Sequence, residues 1–286
     1  MRWTLLAMAV LVAGGEVSAH PGHAPLVASA NEVITPERLD LPASKGRKLA
    51  ITVWPALGND GPVVIFGHGL GGEPEAYRGL FELWAMTGTT VVAPIEPDSR
   101  ANSDHDKVDL PTGFGLRTED LMIARGYVAQ RFPKRPVFLA GHSYGSLFAM
   151  MGGGAVTAAG PLNGPPVAGV VAFSTPGKIQ GVVKPDSFAS LKVPLLLVTG
   201  TEDTVPGFVP DAADHRFPFD SAAPGDKMLV TFKGGAHDLA IRPGLPSSVS
   251  AALSAAFFEA YGRPDPDARA EFRKFKSTGT YTVEVR

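Results

Sequence analysis

A serine flanked by glycines, Gly141-His142-Ser143-Tyr144-Gly145, follows directly on the apolar run Val137–Ala140. A serine hydroxyl is a poor nucleophile alone. It needs a base to take its proton, an acid to orient that base, and donors for the oxyanion it raises on a carbonyl. A strand turning at once into a helix would strain the backbone at Ser143 and hold its hydroxyl out, while the glycines let neighbouring chain come close. The helix start would also turn free N–H groups toward developing negative charge. Two later segments offer the partners. "LLLVTGTEDTVP" delivers Asp203 and "VTFKGGAHDLA" delivers His237, each in a loop after an apolar run and a glycine. Glu202 is the competing acid, and Asp211 and Asp214 lie further out. His105 and His215 are the alternative bases. Both are poorer: His105 precedes the serine, and no strand separates His215 from Asp203.

"HGLGG", His68 to Gly72, ends another apolar run. Its expected role is an oxyanion hole, with the Leu70 N–H paired to that of Tyr144. His68 and His142 are read as structural, the first shaping this turn and the second buried beside the serine. The chemistry requires no metal and no organic cofactor. The chain has no cysteine, which excludes a cysteine nucleophile, a thiolate metal site and disulfides. His20 and His23 lack a nearby third ligand for a metal.

Positioning these residues requires strands that end at one edge. The runs in "KLAITVWPA", "GPVVIFG", "TTVVAPIE", "PVFLAGH", "VAGVVAFS", "VPLLLVTG" and "KMLVTFKG" are apolar without polar alternation, as in strands covered on both faces. Helical periodicity lies between them: Tyr77, Leu80, Phe81 and Trp84 share one face, as do Val249, Leu253, Ala256, Phe257 and Ala260 before Gly262. Thr118 is read as the cap of a helix carrying Leu121, Ala124 and Val128, after a long polar loop over 97–115. "TYTVEVR" closes the chain as an edge strand. The expectation is an α/β fold, a mostly parallel central sheet with helices on both faces and a site at the strands' carboxyl ends. Only residues 175–192 separate two strands where a lid could sit, so no large lid domain is expected and the site should be open. Phe208, Phe217 and Phe219 either wall a substrate or pack into the core.

With 286 residues, 44% hydrophobic and 19% charged, the chain can bury a large core. A net charge of −2 gives no electrostatic case for nucleic acid. Met1-Arg2, the apolar "WTLLAMAVLVAGG" and the small residues Val17 and Ala19 read as a signal peptide over 1–19, cleaved after Ala19. Residues 20–32 read as a flexible lead-in, and 33–286 as a single domain. The expectation is a periplasmic or secreted protein with no stable membrane anchor. Oligomeric state is not legible.

Taken in order, "FGHGLGG", "GHSYG", "GTEDTVP" and "GGAHDLA" resemble the α/β-hydrolase superfamily over about residues 48–262. Within it the chain is most similar to the branch of platelet-activating-factor acetylhydrolases, chlorophyllase-like enzymes, dienelactone-hydrolase-like proteins and bacterial polyester hydrolases. The resemblance implies a serine esterase acting on a small-molecule or lipid-like ester, with Ser143 as nucleophile, His237 as base, Asp203 as acid, and Leu70 and Tyr144 as oxyanion donors. Dienelactone hydrolases use a cysteine nucleophile, and here the chain departs from them. The rival readings are a peptidase or amidase with the same triad, a lyase built on it, and a catalytically silent binding protein.

Overall fold

The computed structural model describes residues 34–58 and 60–286. The expected signal peptide, the lead-in, His20 and His23 lie outside the described residues. Among the described residues, no helix is long and apolar enough to cross a membrane.

A nine-stranded sheet forms the centre. Its strands are β1 (Glu37–Pro42), β2 (Lys48–Trp54), β3 (Val63–Gly67), β4 (Thr90–Pro94), β5 (Val137–His142), β8 (Gly169–Phe173), β9 (Leu195–Glu202), β10 (Lys227–Ala236) and β11 (Tyr281–Val285). Two short strands, β6 (Val156–Thr157) and β7 (Gly160–Pro161), pair separately as a hairpin. The order across the sheet is β1-β2-β4-β3-β5-β8-β9-β10-β11. The inner run from β4 to β10 is parallel, and β1, β2 and β11 add antiparallel edges. The most apolar strands, β3, β4, β5 and β8, occupy the middle, where both faces are covered and water cannot reach the backbone.

On one face α1 (Arg78–Met86) and α5 (Leu245–Gly262) pack an aromatic cluster around Phe66, Trp84, Phe138 and Phe258. On the other, α2 (Leu110–Arg131) and α3 (Tyr144–Gly152) cover Ile65, Val92, Leu139 and Val170. Two short helices complete the chain, α4 (Phe217–Ser221) and α6 (Pro266–Phe272). The segment between β8 and β9, residues 174–194, carries no helix.

The helix expected to start at Thr118 starts two turns earlier. The Asp109 side chain caps it, accepting the Thr112 N–H at 2.8 Å, and Pro111 sits in the first turn, where its missing N–H costs nothing. Gly113 and Gly115 made this stretch look like loop, but the cap and proline decide the start. Thr118 instead returns its hydroxyl to Phe114 O at 2.9 Å, inside the helix. The irregular segment expected over 97–115 therefore ends at Asp109. The edge strand β1 and helix α6 were not anticipated, because their alternation and periodicity are weak.

Candidate active site

Four strands deliver the site. β3 ends at the His68–Gly72 turn, β5 at Ser143, β9 at Asp203 and β10 at His237. Ser143 occupies φ 51°, ψ −123°, a conformation that a side chain disfavours. It is held there by its N–H on Phe173 O at 2.9 Å and by two bonds to its carbonyl, from Ser146 N at 3.0 Å and Ser146 Oγ at 2.6 Å. The flanking glycines are required by contact. A Cβ on Gly145 would lie 2.1 Å from Gly67 O, and one on Gly141 would lie 2.5 Å from the Gly145 backbone. A side chain on Gly145 would push the serine turn off β3, and one on Gly141 would push it off β5.

The His237 Nε2 lies 2.9 Å from Ser143 Oγ, and its Nδ1 lies 2.7 Å from Asp203 Oδ1. The Thr199 hydroxyl donates to the other carboxylate oxygen at 2.8 Å. Asp203 is fully buried. Burial opposes its charge, but hydrogen bonds from His215 and His237 outweigh it and hold the carboxyl well below the usual range.

Leu70 follows β3, and its N–H has no acceptor among the described residues. Tyr144 opens α3, so its N–H has no intrahelical acceptor. Both residues border the same cavity as Ser143. Behind Leu70 lies a buried ionic brace. Arg117 donates to His68 O at 2.8 Å and Gly69 O at 3.1 Å, and pairs with both oxygens of Asp98 at 2.7 and 2.8 Å. Asp98 in turn accepts the Gly71 N–H at 2.8 Å. His68 takes the Glu96 N–H on Nε2, so its proton is on Nδ1 and goes to Gly69 O; burial and the Arg117 charge push its pKa down to about 3.

A second chain crosses beneath the serine. The Gly69 N–H donates to Tyr77 Oη at 3.2 Å, and that hydroxyl meets His142 Nδ1 at 2.8 Å. His142 Nε2 meets the His237 carbonyl at 2.7 Å. A carbonyl only accepts, so Nε2 carries the proton and Nδ1 receives the tyrosine's. His142 is thus neutral, and burial followed by the neighbouring His237 pushes its pKa down to about 4. The chain links the turn bearing Leu70 to the loop bearing His237. Tyr77→Phe removes one acceptor and one donor from it. The expected result is a loss of about 1–3 kcal/mol in denaturant unfolding and a measurable drop in turnover.

Glu96 sits close by with Oε2 unpartnered, and burial pushes its pKa up from 4.5 to about 8. The folded protein therefore holds a proton there that the unfolded chain releases above its ordinary value. Stability falls as pH rises between those two values and falls no further above them. Glu96→Gln is expected to remove that slope and gain about 4 kcal/mol at pH 8, read from unfolding at several pH values.

The structure brings Ser143, Asp203, His237, Leu70 and Tyr144 to one place. It leaves out the other candidates. His105 stays in its own turn on Asn102 O, Glu202 is exposed, Asp211 caps a turn and Asp214 pairs with Lys178. His215 is the exception. It is buried, and its Nε2 lies 2.9 Å from Asp203 Oδ1, the same oxygen that His237 bonds. Among the described residues, only Asp203, His215 and His237 bring ligand atoms close enough together for a metal ion, and those atoms already bond one another.

A cavity of about 740 Å³ opens on Ser143. Leu70, Leu110, Phe114, Ile179, Val205 and Phe208 line it, and among the described residues no lysine, arginine, aspartate or glutamate does. Leu70, Leu110, Phe208 and Ile241 are also among the few large apolar residues left exposed. Of the three phenylalanines in question, Phe208 faces the cavity, Phe217 packs on Phe188, and Phe219 is buried with Leu197 and Leu229.

The solved structures that resemble this one include a dienelactone hydrolase from Anabaena variabilis, 22% identical, with a TM-score of 0.58 over 80% of this chain and 99% of that one. The chain has the α/β-hydrolase fold. A thermostable carboxyl esterase from Bacillus coagulans aligns at 13% identity with a TM-score of 0.60, over 81% of this chain and all of that one. An acylaminoacyl peptidase from Pyrococcus horikoshii aligns at 15% identity with a TM-score of 0.62 over 84% of this chain; the chain spans 43% of the peptidase's length. No family model matches the sequence, and no curated protein does.

Proposed function

We propose that the protein is an exported serine hydrolase that cleaves carboxylic esters carrying an apolar acyl or alcohol group. The observation that carries this reading is the 2.9 Å contact of His237 Nε2 with Ser143 Oγ, at the floor of an uncharged cavity. His237 Nε2 takes the hydroxyl proton as Oγ adds to the ester carbonyl. The N–H groups of Leu70 and Tyr144 hold the oxyanion. Collapse expels the alcohol, which takes the proton from His237, and leaves an acyl group on Ser143. Water activated by His237 releases the acid by the same steps. Among the described residues, the cavity has no lysine, arginine, aspartate or glutamate to recognise a peptide terminus, which favours esters over peptides. Export rests on residues 1–19, and the mature protein would act in the periplasm or outside the cell without a membrane anchor.

The test is hydrolysis of p-nitrophenyl esters from acetate to palmitate, with fluorophosphonate labelling mapped by mass spectrometry. The expected outcome is a preference for chains longer than acetate and a label on Ser143. A folded protein that turns over none of them and takes no label would sink the reading and leave a silent binding protein.

A further inference from the structure

We propose that His215 is held as a buried imidazolium against Asp203, and that this charged contact fixes the carboxylate that orients His237. The second half rests on the triad reading above; the first does not.

The argument starts from what each ring nitrogen of His215 meets. Nδ1 faces the Thr175 carbonyl. Nε2 faces the Asp203 carbonyl at 2.7 Å and Asp203 Oδ1 at 2.9 Å. All three are acceptors only. A neutral imidazole must leave one nitrogen bare, and here either choice aims a lone pair at an oxygen in a fully buried place. Two protons satisfy every contact. The same residue is tied a third time, by the Thr175 hydroxyl donating to the His215 carbonyl at 2.8 Å. Burial alone would lower the pKa of His215, but the hydrogen bond and charge of Asp203, with the two carbonyls, raise it overall.

Asp203 Oδ1 therefore serves two histidines, His237 from β10 and His215 from the turn before α4. The rings of His215 and His237 lie 5.8 Å apart, close to parallel. From β5, His142 is the other titratable group facing the pair, and it is neutral. The neighbours of His215 in its own turn point elsewhere: Asp214 pairs with Lys178, and Arg216 with Asp220 and Glu284. His237 thus sees a carboxylate already offset by one positive charge. From a place that solvent does not reach, the charge of His215 holds Asp203 Oδ1 where His237 Nδ1 meets it. His215 is a positioning residue, since it reaches Ser143 only through Asp203 and His237.

Two measurements test this. The first is nitrogen NMR of the full chain labelled at histidine. His215 is expected to show two protonated ring nitrogens at pH 7, beside a singly protonated His142. A bare nitrogen on His215 at pH 7 overturns the proposal. The second is kcat and KM for ester hydrolysis by His215→Gln, which keeps a donor for Asp203 and loses the charge; His215→Asn stands in if that variant does not fold. kcat is expected to fall about 10-fold with KM little changed. A folded variant that keeps the wild-type kcat overturns the charge's role in holding Asp203. If the wild type turns over no ester, the functional reading fails instead, and the nitrogen spectrum still decides the charge of His215.

Discussion

Ser143→Gly is expected to hydrolyse esters about 10⁴-fold or more slowly than the wild type and to be more stable, by about 1 kcal/mol. The two effects share one cause. The serine turn holds a residue with a Cβ at φ 51°, ψ −123°, where glycine sits without strain. Such backbone costs about 1–3 kcal/mol, and glycine returns about 0.5–1 of that through the extra freedom of its unfolded chain. The remainder favours the variant. Ser143→Ala is the control, because it loses the same hydroxyl but keeps the Cβ and the strain. Denaturant unfolding of both variants separates the two effects. Glycine stabilising and alanine not would mean that the strain exists to aim the hydroxyl. Equal stability of the two would mean that the turn is relaxed as it stands.

The legible part of this fold was whatever repeats along the chain. Continuous apolar runs marked the inner strands β3, β4, β5, β8, β9 and β10, and those strand ends are where Ser143, Asp203, His237 and Leu70 stand. Nothing local marked the residues that hold them. Tyr77 reads as one more apolar position of a helix face, yet its hydroxyl joins the Leu70 turn to His142. Arg117 falls between a stretch whose glycines suggest loop and the helix expected from Thr118, and only the helix capped by Asp109 carries it under the turn. His215 is too near Asp203 in the chain to act as a separate base, and that nearness is what lets it bond the acid beside His237. Strand ends follow from pattern. Buried polar partners depend on which side chains the finished packing brings together, and one sequence carries no periodic trace of that.

Arg117→Met is expected to cost about 3–5 kcal/mol and to lower kcat by about 100-fold with a smaller change in KM. Arg117 is fully buried, with its guanidinium shared between Asp98 and the carbonyls of His68 and Gly69, and it lies 5.1 Å from the centre of the Tyr144 ring. It thus holds the two carbonyls just before Leu70 and packs on the ring of Tyr144, the two residues that flank the expected oxyanion position. Methionine fills much of the volume but leaves Asp98 as a buried charge with no cation and two carbonyls without donors. Substrate binding depends on the apolar walls, which Arg117 does not line, so KM should change less than kcat. A double variant, Arg117→Met with Asp98→Leu, separates stability from positioning. Removing both charges should restore much of the stability, since a well-packed apolar pair often matches a buried ion pair. It should not restore the rate, because Gly71 then loses its acceptor and the turn is no longer tied to α2. A double variant that recovers both would show that the β3 turn holds its shape without the brace, and that Arg117 serves stability alone.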